Sequence, residues 1–217
     1  MHLVESMVAL TRQQKADETR RRLFIAAVDL FTQAGYHATT VETIAARAGV
    51  AKGTFFVHFP TKDAVILELV RIQTGAALAA RTAALAAGPI AALRAATLEL
   101  GNQAGRSRPL SRAVLGATLT SHELAGAADA EFQRVLAAMQ GDANAALQRR
   151  PTAADKLARG LMAAYLGAAL HFAANAGSLP MRELLEPLVD QLLEPFESSR
   201  GGTHEPRARH RTARKRM

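Results

Sequence analysis

The 217-residue chain has no cysteine, no tryptophan and only two tyrosines, and its aromatic share is 5%. Without cysteine there is no disulfide framework, no thiolate metal site and no cysteine nucleophile. The shortage of aromatics excludes most sheet-rich architectures, which draw on aromatic and β-branched residues. Ala and Leu instead dominate a 49% hydrophobic fraction, the composition of closely packed helices. The fold expected is all-α. No phosphate-cradling glycine loop, nucleophile elbow or His-Glu-x-x-His is present, and the seven histidines are scattered. Ser121, His122 and Glu123 are neighbours whose side chains would leave a helix in different directions, so they make no triad. An enzyme is disfavoured, and neither a cofactor nor a metal is expected. Glu5 stands where a signal peptide would carry basic residues, so a cytoplasmic location is expected. Residues 160–181 are uncharged and reach membrane-spanning length. Alanine dominates there, so a buried helix at a subunit interface is the preferred reading.

Positive charge is not scarce: the formal net charge is +8, and the cations from Arg200 onward, set against Glu205, account for +6 of it. Most of the excess is therefore a tail, 198–217, expected to be disordered and solvated. The informative stretch is Thr39 to Lys62. Thr39 and Glu42 have the spacing of a capping box. Val41, Ile44, Ala45 and Ala48 follow on one helical face, and Gly49 can end that helix in the left-handed conformation. Ala51 to Phe59 then reads as a second short helix, with Phe55 and Phe59 inward and Lys52, Gly53, Thr54, Phe56 and His58 outward. Two helices joined by a tight glycine turn make a helix-turn-helix, whose second helix lies in the DNA major groove. Lys52 can donate to guanine O6 and N7. Thr61 caps a third helix, whose first N–H groups, with Lys62, suit a phosphate oxygen.

Gly35-Tyr36, Thr39-Thr40-Val41, Ile44-Ala45, Ala48-Gly49-Val50, Lys52-Gly53-Thr54, His58-Phe59 and Thr61-Lys62 together resemble the TetR/AcrR family of transcriptional regulators, over roughly residues 20–70. The resemblance implies a three-helix DNA-binding domain, followed by an all-helical domain that binds a small-molecule effector and dimerises. The candidate DNA-facing residues are Thr39, Thr40, Lys52, Gly53, Thr54, Phe56, His58 and Lys62. Phe56 stands where the family usually has Tyr, which removes a hydroxyl from the phosphate contacts. Ala51 replaces a usual Ser or Thr and can touch a thymine methyl instead. Val57 stands where a polar or aromatic residue is common, and Ile25 is apolar where the family is mostly polar. A plain helical hairpin in a core is the competing reading, but it would not demand Lys52, Gly53, His58 and Lys62 at these offsets.

The rest of the chain divides at its breakers. A flexible N-terminus is expected over 1–15, the DNA-binding domain over 16–62, and the effector-binding and dimerisation domain over 63–197. Arg20, Arg21 and Arg22 suit either a phosphate or a solvated face. One long helix should run from Lys62 to about Ala87, with Gly126 interrupting a later one and Pro151 closing it. The two last helices carry the apolar stripes of a four-helix dimer interface, as the resemblance also implies. An effector pocket among the middle helices would draw on Phe132, Met139, Met162, Tyr165 and His171, with Asn102 and Gln103 as polar partners. The function expected is a homodimeric repressor, released from a palindromic double-stranded DNA operator by a small molecule. The alternatives are an effector-independent architectural DNA-binding protein or a helical small-molecule carrier.

Overall fold

The computed structural model describes residues 2–177 and 179–197, with side chains from Arg12 onward. All regular structure among them is helical, in the order α1 (His2–Ala34), α2 (Val41–Ala48), α3 (Lys52–His58), α4 (Lys62–Ala84), a 3-10 turn (Leu85–Ala87), α5 (Pro89–Gly105), α6 (Arg108–Thr120), α7 (His122–Ala146), α8 (Pro151–Ala174) and α9 (Met181–Glu197). The basic tail, 198–217, lies outside the described residues.

Several boundaries differ from expectation for local reasons. The stretch 1–15, expected to be flexible, is helical from His2, since no Gly or Pro interrupts residues 1–34. Pro109 and Pro151 sit in the first turns of α6 and α8, where a missing N–H costs nothing. Pro151 therefore opens α8, and α7 ends at Ala146, before Gln148 and Arg149 turn through positive φ. Gly126 does not break α7, whose flanking Leu124 and Ala128 are buried.

Two cores form. The first gathers Leu23, Phe31, Ile44, Phe55, Phe59, Val65 and Ile66 from α1–α4, and Ala113, Ala117 and Leu124 from α6 and α7 join it. The second holds Leu93, Leu100, Val135, Met139, Leu161, Tyr165, Leu185 and Val189 from α5 and α7–α9, with Ala77 of α4. The expected border at 62/63 is thus not a packing border, because α4 begins in the first core and ends in the second. Near its far end Arg81 grips Asp142 of α7 through two hydrogen bonds of 2.5 and 2.6 Å. By length and composition α8 could cross a membrane, yet Leu157, Leu161, Tyr165 and Phe172 place one of its faces in the second core.

Candidate nucleic-acid interface and ligand cavity

The turn between α2 and α3 forms as its residues dictate. Gly49 takes φ 68°, and the N–H groups of Gly49 and Val50 donate to Ala46 and Ala45, 3.1 and 3.0 Å away. This pairing satisfies the last carbonyls of α2 and turns the chain sharply. Val50 then packs against the first core. Phe55 and Phe59 are buried with their rings 5.8 Å apart, which forces the opposite face of α3 outward. Lys52 and Gly53 are exposed, Thr54 and His58 are half-buried, and Phe56 and Val57 are 47% and 80% exposed. A Cβ placed on Gly53 would meet nothing within 4 Å, so close approach from outside is open there.

Two residues expected to face DNA turn inward. Thr39 is 2% exposed and its hydroxyl donates to the Gly35 carbonyl at 2.7 Å. It is Thr40 that caps α2, in a reciprocal box with Thr43, so Glu42 is not the box partner. Glu42 instead pairs with Lys52 across the turn, and that bond holds its carboxyl below the usual carboxylate range. The Lys62 ammonium donates to the carbonyls of Tyr36 and Thr39, at 2.7 and 2.8 Å, and lies 4.0 Å over the Tyr36 ring. Two of its three N–H groups are thereby spent fastening the loop before α2, and burial holds its pKa below the usual lysine value. Thr61 caps α4 as expected, accepting from the Ala64 N–H.

The basic cluster of α1 resolves residue by residue. Arg20 donates to the His58 carbonyl at 2.6 Å, pairs with Glu68 and stacks 4.2 Å from the centre of the Phe59 ring. Arg22 donates to the last carbonyl of α2, at Ala48. Both brace the reading helices from behind, whereas Arg21 pairs with Glu18 at the surface. Asp63 was invisible to sequence reasoning. Its carboxylate accepts from the Tyr36 hydroxyl on one side and from the Ser121 hydroxyl, at 2.7 Å, on the other. Since Ser121 caps α7, this carboxylate ties the loop before α2 to the second domain. No spacing rule could have found partners 27 and 58 positions away.

A cavity of about 520 Å³ opens between Phe24, Ile25 and Val28 of α1 and elements of the second domain, namely α4, the C-terminal end of α5, and α6–α8. Of the residues named above for an effector pocket, Phe132, Tyr165 and Gln103 line it. Met139 and Met162 do not, because both are packed into the second core. His171 is exposed near the end of α8 against Asn175, and Asn102 is exposed and bonded to Glu99. The walls that sequence reasoning missed come mainly from α1, α4 and α6. Ile25, already noted as unusual, is one of them.

The family description "Bacterial regulatory proteins, tetR family" matches residues 23–69, the segment that carries the last third of α1, all of α2 and α3 and the start of α4. Over that segment the chain is similar to the TetR family of regulators. Curated relatives of the chain include TcmR of Streptomyces glaucescens, an HTH-type transcriptional regulator, 44% identical over 69 residues that span 32% of this chain and 30% of TcmR. The HTH-type transcriptional activator FasR of Mycolicibacterium smegmatis is 42% identical over 55 residues, or 25% of each chain. The chain thus spans less than a third of the length of these relatives. Over the whole fold it is similar to FadR of Thermus thermophilus, a TetR family transcriptional repressor solved with lauroyl-CoA, at 27% identity and TM-score 0.61, covering 81% of this chain and 93% of that one. SmeT, the repressor of a Stenotrophomonas maltophilia multidrug efflux pump, shares the fold at 23% identity and TM-score 0.65, covering 82% of this chain and 91% of that one.

Proposed function

We propose that the protein is a ligand-responsive, DNA-binding transcriptional repressor that acts in the cytoplasm as a homodimer. The observation that carries this reading is the outward face of α3, where Lys52, Gly53, Phe56 and Val57 stand clear of a core that Phe55 and Phe59 fill. Lys52 would read guanine, Gly53 would admit the backbone close to the duplex, and Phe56 and Val57 would meet thymine methyls. Thr40, Thr54 and His58 would complete the contacts to bases and phosphates. Two copies paired through α8 and α9, whose Leu166, Leu170 and Leu188 are 41–52% exposed, would place two α3 helices on successive major grooves of a palindromic operator. The 520 Å³ cavity favours this reading over an effector-independent architectural protein. Because α1 and α4 both wall it, a ligand there would shift the DNA-binding domain against the second domain. Coupling of about 1–3 kcal/mol would weaken operator binding roughly 5- to 150-fold.

The test begins by selecting bound duplexes from random DNA and measuring affinity by fluorescence anisotropy over a salt series. A palindromic consensus is expected, with affinity falling steeply with salt and lost in the Lys52→Ala, His58→Ala double variant. Unchanged affinity in that variant, with the fold intact by circular dichroism, would refute the assignment of α3.

A further inference from the structure

The cavity's polar groups are nearly all committed to the protein itself. The Ser111 hydroxyl donates to the Ala104 carbonyl at 2.5 Å, and that of Thr118 donates to Val114 and Leu115 at 3.1 and 2.9 Å. Ser107 caps α6 by accepting from the Leu110 N–H, and the Gln103 amide donates to Glu99 at 2.6 Å. The Gln73 amide divides its two hydrogens between the Leu100 carbonyl, at 3.0 Å, and the Tyr165 hydroxyl oxygen. Since Ser107 is only half-buried, Tyr165 is the exception among the deeply buried groups. Its side chain is 3% exposed and its hydroxyl accepts from Gln73, while the hydroxyl's own proton has no acceptor among the described residues. Desolvation raises its pKa, so the proton stays on the oxygen. The charged lining groups are Asp29 and Arg106, one of each sign and both exposed, and exposed ion pairs with a ligand are weak. The remaining wall is mainly aliphatic.

Resting on the regulatory reading above, we propose that the effector is a neutral, largely aliphatic molecule carrying a carbonyl or ether oxygen, which accepts a hydrogen bond from the Tyr165 hydroxyl. An anionic or cationic head would lose its hydration in a cavity with no buried counter-charge, a cost that binding does not recover. A ketone or ester oxygen instead supplies the acceptor that a buried hydroxyl lacks. The bond would also reach α4 directly, because Gln73 of that helix holds the same hydroxyl in place.

The experiment measures dissociation constants by calorimetry for undecan-2-one, undecanoate and undecylamine on the full chain. The same three are titrated against Tyr165→Phe and against Val114→Phe, which narrows the cavity from its α6 wall. The ketone is expected to bind at least tenfold tighter than either ion, to weaken roughly 2- to 10-fold in Tyr165→Phe, and to bind more weakly in Val114→Phe. Equal or tighter binding of undecanoate, an unchanged constant in Tyr165→Phe or in Val114→Phe, or no ketone binding at all would each overturn the ligand class. Operator affinity, measured on the same preparations, separates the two readings. If it is retained while the ketone result fails, only the ligand class is lost; if it is absent, the regulatory reading itself fails.

Discussion

Asp142 offers the sharpest energetic test of how α4 is anchored. Its side chain is 6% exposed and meets the Arg81 guanidinium, itself 21% exposed, along two parallel hydrogen bonds of 2.5 and 2.6 Å. Asp142→Ala would leave a guanidinium largely cut off from water and facing no carboxylate. Breaking a buried pair from one side costs about 3–5 kcal/mol. The residual exposure of Arg81 lets solvent take up part of that charge, so the lower end, about 3 kcal/mol, is expected. At 2–4 °C per kcal/mol for a chain of this size, the melting temperature should fall by about 6–12 °C. The Arg81→Met, Asp142→Leu double variant removes both charges and keeps apolar volume, so it should melt within a few degrees of the parent. Thermal unfolding followed at 222 nm, with urea titrations of all three proteins, gives the two stability differences directly. A single variant that melts within 2 °C of the parent, or a double variant as unstable as the single, would show that the pair does not hold α4 to α7 as described.

Three further outcomes follow from other contacts. Glu42→Gln should release Lys52 from its intramolecular partner and tighten operator binding a few-fold at low salt, an effect that fades as salt rises; looser binding would mean that Glu42 positions Lys52 productively. Gly105→Ala should destabilise the fold by about 1–3 kcal/mol, because the new methyl would lie 2.8 Å from the Cβ of buried Met181 and could be relieved only by moving the backbone of α9. A urea midpoint equal to that of the parent would argue against the close α5–α9 approach. Lys62, whose pKa is depressed by burial in the folded state, binds fewer protons there than in the unfolded chain between that lowered value and the normal lysine range. Its contribution to stability should therefore rise with pH across that window. The difference in melting temperature between the parent and Lys62→Met should change as pH rises toward the normal lysine value of about 10.4, and a flat difference would contradict the burial of the ammonium.

The helical class, the glycine turn and the inward pair Phe55 and Phe59 were legible from the chain alone. Each is governed by local rules: periodicity, a left-handed residue, and an apolar spacing of four. The same local rules placed Lys52, Gly53 and Phe56 on the outer face of α3, and they placed the cap at Thr61. Tertiary structure decided what no local rule reaches. Thr39 is turned inward by the Gly35 carbonyl and Lys62 is held by the carbonyls of Tyr36 and Thr39, so residue types suited to a phosphate are spent on the fold. Asp63 joins Tyr36 to Ser121, and the cavity draws walls from α1 and α6 as well as from the middle helices. Met139 and Met162 show the limit most plainly: their apolar spacing suits a pocket and a core equally well, and only the packing of α5, α7, α8 and α9 around them settles it as core. Spacing along a helix fixes which face a residue occupies, whereas what meets that face depends on segments far away in the chain.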